Sequence, residues 1–459
     1  MNEQTLIFDE VFELLENKNF PKLKELLKEM NPADIALLFE DLEGKDIPLV
    51  FRLLPKQLAA DTFSYLESDK QVQLIGSFSD VELREITDNM FIDDTVDIIE
   101  EMPANVVTRI LKNTDNETRK TINELLKYPK DSAGSIMTTE FLYLDDDMTV
   151  SEAFRKIRQV GVTKETINTC FVTKSRKLLG QLSPLELLTS DEDTPVTEIM
   201  DTNVIKVSTH EDQENVARMF DKYDIAAMPV VDNEERLVGI VTFDDAIEVL
   251  QEENTEDFEK MAAMMPIEDS YFKTSVFKHA RKRVIWLLVL MISATFTGLL
   301  ITKYEAAFAA LPILISFIPM LMDTGGNCGS QTSTMIIRGF ALGEISTRDF
   351  FRVMFKEFRI SLIVSSILAV VNGIRIFLMY YNSESLAASG TSALMLAIVV
   401  ALTIMCAVVI AKFVGCVLPM LAKMCKLDPA IMASPMITTV ADAAIIFVYF
   451  NIAMKFFNI

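Results

Sequence analysis

The stretch from Ala433 to Phe450, ASPMITTVADAAIIFVYF, is long and apolar enough to lie in a lipid bilayer, yet Asp442 stands near its middle. An ionised carboxylate in hydrocarbon costs about 2.5 kcal/mol or more, so it normally faces a partner or water. A chain with this stretch must fold around a polar site within a membrane. One acid in a late hydrophobic helix indicates an ion pathway.

Charge divides the chain at Phe277. Of the 66 acidic side chains, 58 precede Phe277, together with 28 of the 43 basic ones. Residues 277–459 hold 8 acidic and 15 basic side chains, so an acidic body is followed by a basic and apolar one. The acidic body is unsuited to nucleic acid, whose phosphates attract basic proteins, but its field attracts cations.

The cysteine and histidine content indicates which kind of cation the chain is suited to bind. The five cysteines are scattered and the chain has two histidines and no CxxC, so we expect neither a disulfide framework nor a zinc or copper site. Carboxylates favour hard, oxygen-liking cations instead. The start of the chain, MNEQTLIFDEVFELLENK, lacks the basic and apolar parts of a signal peptide, so we expect the acidic body in the cytoplasm.

Residues 1–130 are predicted to form an acidic all-α domain of short amphipathic helices, with apolar residues at i, i+3 and i+4. Helix starts are indicated at Asn31-Pro32, Pro55 and Pro103. A loose repeat of roughly 24 residues favours a small superhelix. Within it, FIDDTVDIIEEMP puts Asp93 and Asp97 on one helical side, which is either a solvated face or part of a cation site.

Residues 131–255 contain two copies of one module. The segment IMTTEFLYLDDDMTVSEAF (136–154) aligns with IMDTNVIKVSTHEDQENVA (199–217), and Gly180 and Gly239 are predicted to lie in matching turns. The pattern of each copy predicts an α/β fold. The pair resembles tandem CBS domains, a family that often binds adenine nucleotides. We interpret it as regulatory, with a simple dimerisation scaffold as the alternative.

A helix rich in acids, TFDDAIEVLQEENTEDFEKM, closes the second copy. Like charges four residues apart, such as Glu248 and Glu252, destabilise a bare helix, and divalent cations would remove that repulsion. A solvated charged face is again the alternative. Residues 256–280 are predicted to form a helix that connects the acidic body to the membrane, apart from an interruption at Pro266.

The C-terminal part, 281–459, is predicted to be an α-helical membrane domain. It contains five hydrophobic stretches, each long enough to cross a bilayer: 284–302, 308–337, 360–381, 392–422 and 431–456. Basic residues cluster before the first stretch, between the second and third, and between the fourth and fifth. The positive-inside rule then puts the N-terminus in the cytoplasm and the C-terminus outside.

The second stretch contains PMLMDTGGNCGSQTST (319–334), whose glycines permit close helix approach. Its polar side chains make it unsuited to face lipid, so we expect it to line a wet cavity or to pack on another span. The fifth stretch offers Asp442, Thr438 and Thr439 as that partner.

The sequences PMLMDTGGNCGSQ and ASPMITTVADA, with the order of helical domain, CBS pair and five spans, resemble the MgtE family of magnesium channels. The resemblance implies a homodimer in a cell membrane, with one Mg²⁺ pore between the second and fifth spans. It also implies that cytoplasmic Mg²⁺ closes the pore. ATP is a candidate ligand of the CBS pair. The candidate pore residues are Asp442, Asn327, Thr438, Thr439 and Gly326. The candidate regulatory Mg²⁺ ligands are Asp93, Asp97, Asp244, Asp245, Glu248, Glu253, Glu256 and Asp257.

Two other readings stay open at this point. A transporter of another divalent cation, Mn²⁺ or Co²⁺, would use the same pattern, and a membrane-anchored nucleotide or ion sensor would need no transport. The glycine motif and Asp442 count against the sensor, since a simple anchor needs neither. No Walker loop, phosphorylated-Asp motif or nucleophile–base pair indicates an enzyme. The roles of Asp323, Arg375 and Lys412 stay undetermined.

Overall fold

The computed structural model of the chain describes residues 3–42, 44–267, 271–272, 274–305, 309, 311–382, 386, 391–432 and 434–457. It divides into two compact units, Met1–Gln251 and Glu252–Ile459.

The first unit begins with an array of short helices that share one apolar core. Their bounds are α1 Glu3–Glu16, α2 Phe20–Glu29, α3 Pro32–Asp41, α4 Asp46–Phe51, α5 Lys56–Ser64, α6 Ser68–Ser77, α7 Asp80–Thr87, α8 Ile92–Glu101, α9 Ala104–Asn113 and α10 Asn116–Leu125. The predicted starts at Pro32, Pro55 and Pro103 are confirmed, and the Asn31 side chain caps α3 by accepting a hydrogen bond from the Ala33 amide. Proline suits a first turn because its missing N–H would be unpaired there.

Two small α/β modules follow, as predicted. Each has a three-stranded sheet whose first two strands are parallel and whose last two are antiparallel. The strands are β1 Tyr143–Asp145, β2 Cys170–Lys174, β3 Lys177–Leu182, β4 Val207–Ser208, β5 Ala227–Val231 and β6 Leu237–Thr242. The helices are α11 Val150–Val160, α12 Pro184–Thr189, α13 Val196–Ile199, α14 Gln213–Tyr223 and α15 Phe243–Met261.

The prediction that Gly180 and Gly239 lie in turns is wrong. Gly180 lies within β3 and Gly239 within β6. A Cβ on Gly180 would stand 2.8 Å from the carbonyl oxygen of Asp201, and one on Gly239 would stand 2.9 Å from that of Thr138. The two glycines match because each strand admits another backbone segment at close range, which is a known use of glycine inside a strand.

The single connecting helix predicted over residues 256–280 is not continuous. Helix α15 ends at Met261, and Ala263 has a left-handed backbone with φ of 54°. The next helix, α16, begins at Val276, where the Ser275 side chain accepts a hydrogen bond from the Lys278 amide. A non-glycine residue in the left-handed region ends the helix earlier than Pro266, the only interruption that the sequence indicated.

Long helices make up the rest of the second unit. They are α16 Val276–Lys303, α17 Ile318–Ala341, α18 Phe350–Tyr380, α19 Ala393–Met424 and α20 Ser434–Phe457. Within the described residues, four segments are long and apolar enough to cross a membrane, and they contain α16, α18, α19 and α20. Helix α17 is long enough, but its polar residues make it less apolar than the others. The predicted count of five spans is therefore not confirmed.

Candidate functional site

The glycines of α17 let this helix pack directly against α19 and α20. A Cβ on Gly329 would lie 2.8 Å from the Ile437 side chain of α20 and 3.1 Å from the Ala411 carbonyl oxygen of α19. A Cβ on Gly325 would overlap Ile445. Because the later glycine meets the earlier isoleucine, α17 and α20 run antiparallel. Small residues permit such close crossings between membrane helices.

Gly326 and Thr438 form the contact nearest to the candidate pore residues. A Cβ on Gly326 would stand 2.9 Å from Cγ2 of Thr438. The hydroxyls of Thr438 and Thr439 both donate hydrogen bonds to the Pro435 carbonyl oxygen, at 2.9 and 2.8 Å. Their donors are thus committed to their own helix, while the hydroxyl oxygens keep lone pairs that can accept a hydrogen bond or contact a cation.

Asp442 lies one helical turn after Thr438 and is half-buried. Its Oδ1 atom is buried and has no hydrogen-bond partner among the residues that the structure describes. A buried carboxylate oxygen without a partner is costly, so it requires a cation, water or another chain. Asn327, directly after Gly326, is exposed on α17.

One face of α17 carries polar side chains at intervals of four residues. Asp323, Asn327 and Gln331 are all exposed on the isolated chain, whereas Gly325, Gly326 and Gly329 are buried. The glycine face therefore packs within the chain and the polar face points away from its core. Asp323, whose role the sequence left undetermined, lies on the same face as Asn327.

In the first unit, the acids of α8 lie near the first turn of α15. Burial raises the pKa of Asp94 to about 7, and repulsion from Asp245, among other acids, adds to this shift. The pKa of Asp93 is raised well above its ordinary value, first by burial and then by Asp94 and Asp245. Its Oδ1 is buried without a hydrogen-bond partner among the described residues. Among the described residues, no basic side chain is one of the main influences on the pKa of Asp93 or Asp94, so the repulsion between these carboxylates is not offset.

The remaining predicted acids of this group are more accessible to water. The pKa of Asp97 is also raised by burial and by Asp245, but its side chain is exposed, so solvent screens much of that repulsion. Asp244 and Glu248 are exposed on α15. Asp245 is half-buried and accepts a 2.6 Å hydrogen bond from the Thr242 hydroxyl.

Sequence reasoning missed Glu165, which comes from the first α/β module. Burial raises its pKa to about 8, with repulsion from Asp245 and Asp94 as further causes. Its Oε2 atom is buried and unpaired among the described residues. No motif or spacing indicated Glu165, because only the packing of separate elements brings it to the α8 acids.

The later acids of α15 belong to the second unit and have a different neighbour. Lys260 Nζ lies 2.7 Å from a carboxylate oxygen of Glu256 and 2.7 Å from one of Asp428. The pKa of Asp257 is raised by burial, then by Asp428, with Lys260 opposing the shift. Glu253 lies one turn before Asp257 and adds to this repulsion. The predicted regulatory set thus divides into two groups, and the sequence did not indicate Lys260 or Asp428.

Neither group forms a preformed metal cage. Across the described part of the chain, no three His, Cys, Asp or Glu side chains converge as the ligands of one metal ion. The carboxylates are near enough to repel one another but do not converge.

Comparison with protein families matches most of the chain outside residues 253–317. The model of the MgtE intracellular N domain matches residues 30–131, the CBS domain model matches 133–192 and 196–252, and the MgtE divalent cation transporter model matches 318–452. The magnesium transporter MgtE of Thermus thermophilus is 33% identical over 446 residues, which cover 96% of each chain. The chain belongs to the MgtE family. This is a family of transporters and not of enzymes.

Other members and solved structures agree with this assignment. The magnesium transporter MgtE of Bacillus subtilis is 30% identical over 99% of each chain. A crystal structure of the cytosolic domain of the Mg²⁺ channel MgtE in complex with ATP is 37% identical, with a TM-score of 0.50, and covers 52% of this chain and 98% of that one. The soluble part of a magnesium transporter is 29% identical, with a TM-score of 0.52 over 55% of this chain and 99% of that one.

Proposed function

We propose that this MgtE family member is a Mg²⁺-selective channel or transporter that takes up magnesium. The observation that carries the proposal is the buried Oδ1 of Asp442, which has no hydrogen-bond partner among the described residues and lies one turn from the contact between Thr438 and Gly326. A permeating cation is the natural partner for such an oxygen in a membrane. The names of the relatives from Thermus thermophilus and Bacillus subtilis support magnesium as the cation.

In the proposed pore, carboxylates bind a Mg²⁺ ion that keeps part of its hydration shell. Mg²⁺ gives up water reluctantly and is usually bound by one or two carboxylates with several waters. Two copies of the chain around a two-fold axis would supply two Asp442 carboxylates, with Asn327, Thr438, Thr439 and Gly326 nearby. The exposed polar face of α17 supports this arrangement, because a face that carries Asp323 and Asn327 is unsuited to lipid.

We further propose that the protein lies in the cell membrane with the N-terminus in the cytoplasm and the C-terminus outside. The clusters of basic residues before α16, between α17 and α18, and between α19 and α20 support this orientation. The antiparallel packing of α17 and α20 agrees with it, since the orientation requires these two helices to cross the membrane in opposite directions.

Closure by cytoplasmic Mg²⁺ is the second part of the proposal. Burial raises the pKa values of Asp93, Asp94 and Asp245, and repulsion from neighbouring acids adds to each shift. A cation that binds better when these acids are close shifts the population towards the compact state. Because the acids do not converge, we expect Mg²⁺ to keep part of its water and to bind weakly. Weak binding suits a sensor of an abundant ion.

Uptake measurements test the pore. Purified wild type, Asp442→Asn and Asp442→Glu are placed in liposomes with a Mg²⁺-sensitive dye inside. We expect Asp442→Asn to lower uptake by at least about 100-fold, because a neutral amide cannot offset the ion's lost hydration. Asp442→Glu should keep part of the rate. Glu344→Gln, which removes an exposed acid between α17 and α18, is the matched control.

The outcomes of this experiment separate the competing functions. Equal uptake by Asp442→Asn and wild type contradicts the pore assignment. Faster uptake of Mn²⁺ or Co²⁺ than of Mg²⁺ favours a transporter of another divalent cation. No uptake of any cation by well-folded wild type favours a membrane-anchored sensor.

Closure is tested by patch-clamp recording with Mg²⁺ on the cytoplasmic side. We expect the double variant Asp244→Asn/Asp245→Asn to need several-fold more Mg²⁺ for half-closure, because two of the carboxylates that would attract the cation are gone. The variant Glu256→Gln/Asp257→Asn tests the second acidic group in the same way. An unchanged half-closing concentration in both would mean that these acids form a solvated face only.

ATP binding by the CBS pair is a separate proposal. It is supported by the ATP complex of the 37% identical cytosolic domain. Titration calorimetry of the full-length protein with ATP, with and without Mg²⁺, tests it. No heat of binding at millimolar ATP would leave the CBS pair as a scaffold.

A further inference from the structure

Lys412 is a buried lysine in the interior of α19. Its exposed fraction is 6%, and apolar residues surround it along the 32-residue helix. A buried ammonium within a membrane helix is expensive and persists only where it is paired. Among the described residues, its partners lie on two other helices and come from distant parts of the sequence.

Lys412, Glu357 and Thr332 join α19, α18 and α17. The Lys412 Nζ atom lies 3.5 Å from Oε2 of Glu357 and donates a 3.0 Å hydrogen bond to the Thr332 hydroxyl. That hydroxyl in turn donates to Glu357 Oε2 at 3.2 Å. The lysine and glutamate side chains are 8% and 14% exposed, so the pair is shielded from bulk water.

This polar group lies beside a close crossing of α17 and α19. Gly415 follows Lys412 by three residues, and Gly329 precedes Thr332 by three. A Cβ on Gly415 would overlap the backbone carbonyl of Gly329. Two smooth glycine surfaces in contact fit closely but have no side chains that oppose sliding or rotation. The neighbouring ion pair supplies a directional contact that the glycines lack.

A cavity next to the pair has room for about one water molecule. Its volume is about 30 Å³, and Glu357, Lys412, Ser361 and Cys416 are among the residues that line it. An ammonium has three donors, of which one is bonded to Thr332 and a second can point to Glu357, 3.5 Å away. A water in the cavity would accept the third and donate to the carboxylate, which lowers the cost of burying both charges.

We propose that Lys412 and Glu357, bridged by Thr332, are positioning residues that fix α17 against α18 and α19. Helix α17 also carries Asn327 and the glycines that meet α20, so its position determines where the polar face lies. The proposal concerns helix placement, and it rests on the proposed function only for its effect on transport. Removing one partner of a buried ion pair destabilises a protein more than removing both, because the remaining charge is buried without compensation.

A native cysteine allows helix placement to be measured without transport. Cys328 is buried on α17, with 6% of its surface exposed. The other four cysteines are replaced, and the rate at which a small membrane-permeant thiol reagent modifies Cys328 is measured in the full-length protein. We expect Lys412→Met and Glu357→Gln each to speed modification at least about tenfold, and the double variant to return to within about threefold of the parent.

Transport is measured on the same variants in parallel. Each single variant should lower Mg²⁺ uptake at least about tenfold per inserted protein, and the double variant should recover most of it. The exchange Lys412→Glu/Glu357→Lys is a second test of pairing. Lys356→Gln, which removes an exposed cation of α18, is the matched control and should change neither the rate of Cys328 modification nor Mg²⁺ uptake.

The results separate this inference from the proposed function. The inference is overturned if the reagent modifies Cys328 as fast in the double variant as in the faster single variant, or if the single variants match Lys356→Gln. If the parent takes up no Mg²⁺ but the pattern of Cys328 protection is as expected, the inference stands and the proposed function fails. If the parent transports Mg²⁺ and Cys328 stays protected in every variant, the proposed function stands and the inference fails.

Discussion

Lys260 Nζ lies 2.7 Å from a carboxylate oxygen of Asp428, although 168 positions separate the two residues in the sequence. The contact joins the last turn of α15 to the segment between α19 and α20. Burial disfavours the ammonium of Lys260, but its hydrogen bonds to Asp428 and Glu256 outweigh this effect and raise its pKa. Lys260 is therefore a fixed cation between acids at physiological pH.

Replacing Lys260 with Met should destabilise the second unit modestly. The side chains of Lys260 and Asp428 are 21% and 30% exposed, so solvent screens the pair and the expected loss is about 1 kcal/mol. For a unit of this size, we expect the melting temperature in detergent to fall by about 2–4 °C. Differential scanning fluorimetry measures it. Lys455→Met, at an exposed site on α20, is the control, and equal melting of both variants would contradict the prediction.

The acidic cluster of α8 should make the first unit depend on pH when divalent cations are absent. Asp94 and Glu165 have pKa values of about 7 and about 8, whereas unfolded carboxyls titrate near about 4. The folded state then binds more protons, so its stability is highest at low pH and is lost as the pH rises towards 8. We expect amide protection in α8, corrected for intrinsic exchange, to fall at least about tenfold between pH 6 and 8.

Millimolar Mg²⁺ should restore most of that protection at pH 8, because bound cations offset the repulsion that deprotonation creates. Hydrogen exchange with mass spectrometry measures both effects on the full-length protein. Helix α9, which carries no acidic side chain, serves as the internal control. A loss of protection that is the same in α8 and α9, or that Mg²⁺ does not reverse, would show that the cluster is not its cause.

Local sequence patterns were sufficient to predict the individual elements. Proline and asparagine marked the helix starts at Pro32, Pro55 and Pro103, and the internal repeat indicated two equivalent α/β modules. The glycine motif correctly indicated a close helix crossing, because glycine is the residue that such a crossing needs. Each of these signals is contained within a few neighbouring residues.

Several errors and omissions involve contacts between distant residues. Gly180 was predicted to lie in a turn. The neighbour that requires a glycine at this position, the carbonyl oxygen of Asp201, comes from a separate segment that the local pattern does not show. The sequence left the role of Lys412 undetermined because its partners, Glu357 and Thr332, belong to other helices. Glu165 reaches the α8 acids only through packing. Periodicity describes which face of an element is apolar, but it cannot identify which partner meets that face.

The glycine crossing gives a prediction that does not depend on charge. Gly415→Ala would push a methyl group into the Gly329 backbone, which cannot rotate away as a side chain could. We expect a loss of about 1–3 kcal/mol in stability, seen as a lower melting temperature, together with reduced uptake. A Cβ on Gly298 of α16 would meet no described atom within 4 Å, so Gly298→Ala is the control and should be neutral or slightly stabilising. Equal effects of the two substitutions would contradict the crossing.

Glu165→Gln should raise the cytoplasmic Mg²⁺ concentration that half-closes the pore. The substitution keeps the size of the side chain but removes one negative charge beside Asp94 and Asp245, so a divalent cation gains less by binding there. We expect a rise of about three- to tenfold in patch-clamp recordings, together with a weaker pH dependence of α8 protection, because one source of repulsion is gone. Glu192→Gln removes an exposed acid from the same module and should change neither quantity. If Glu165→Gln leaves the half-closing concentration unchanged but does weaken the pH dependence, Glu165 contributes to the repulsion without taking part in the binding of Mg²⁺.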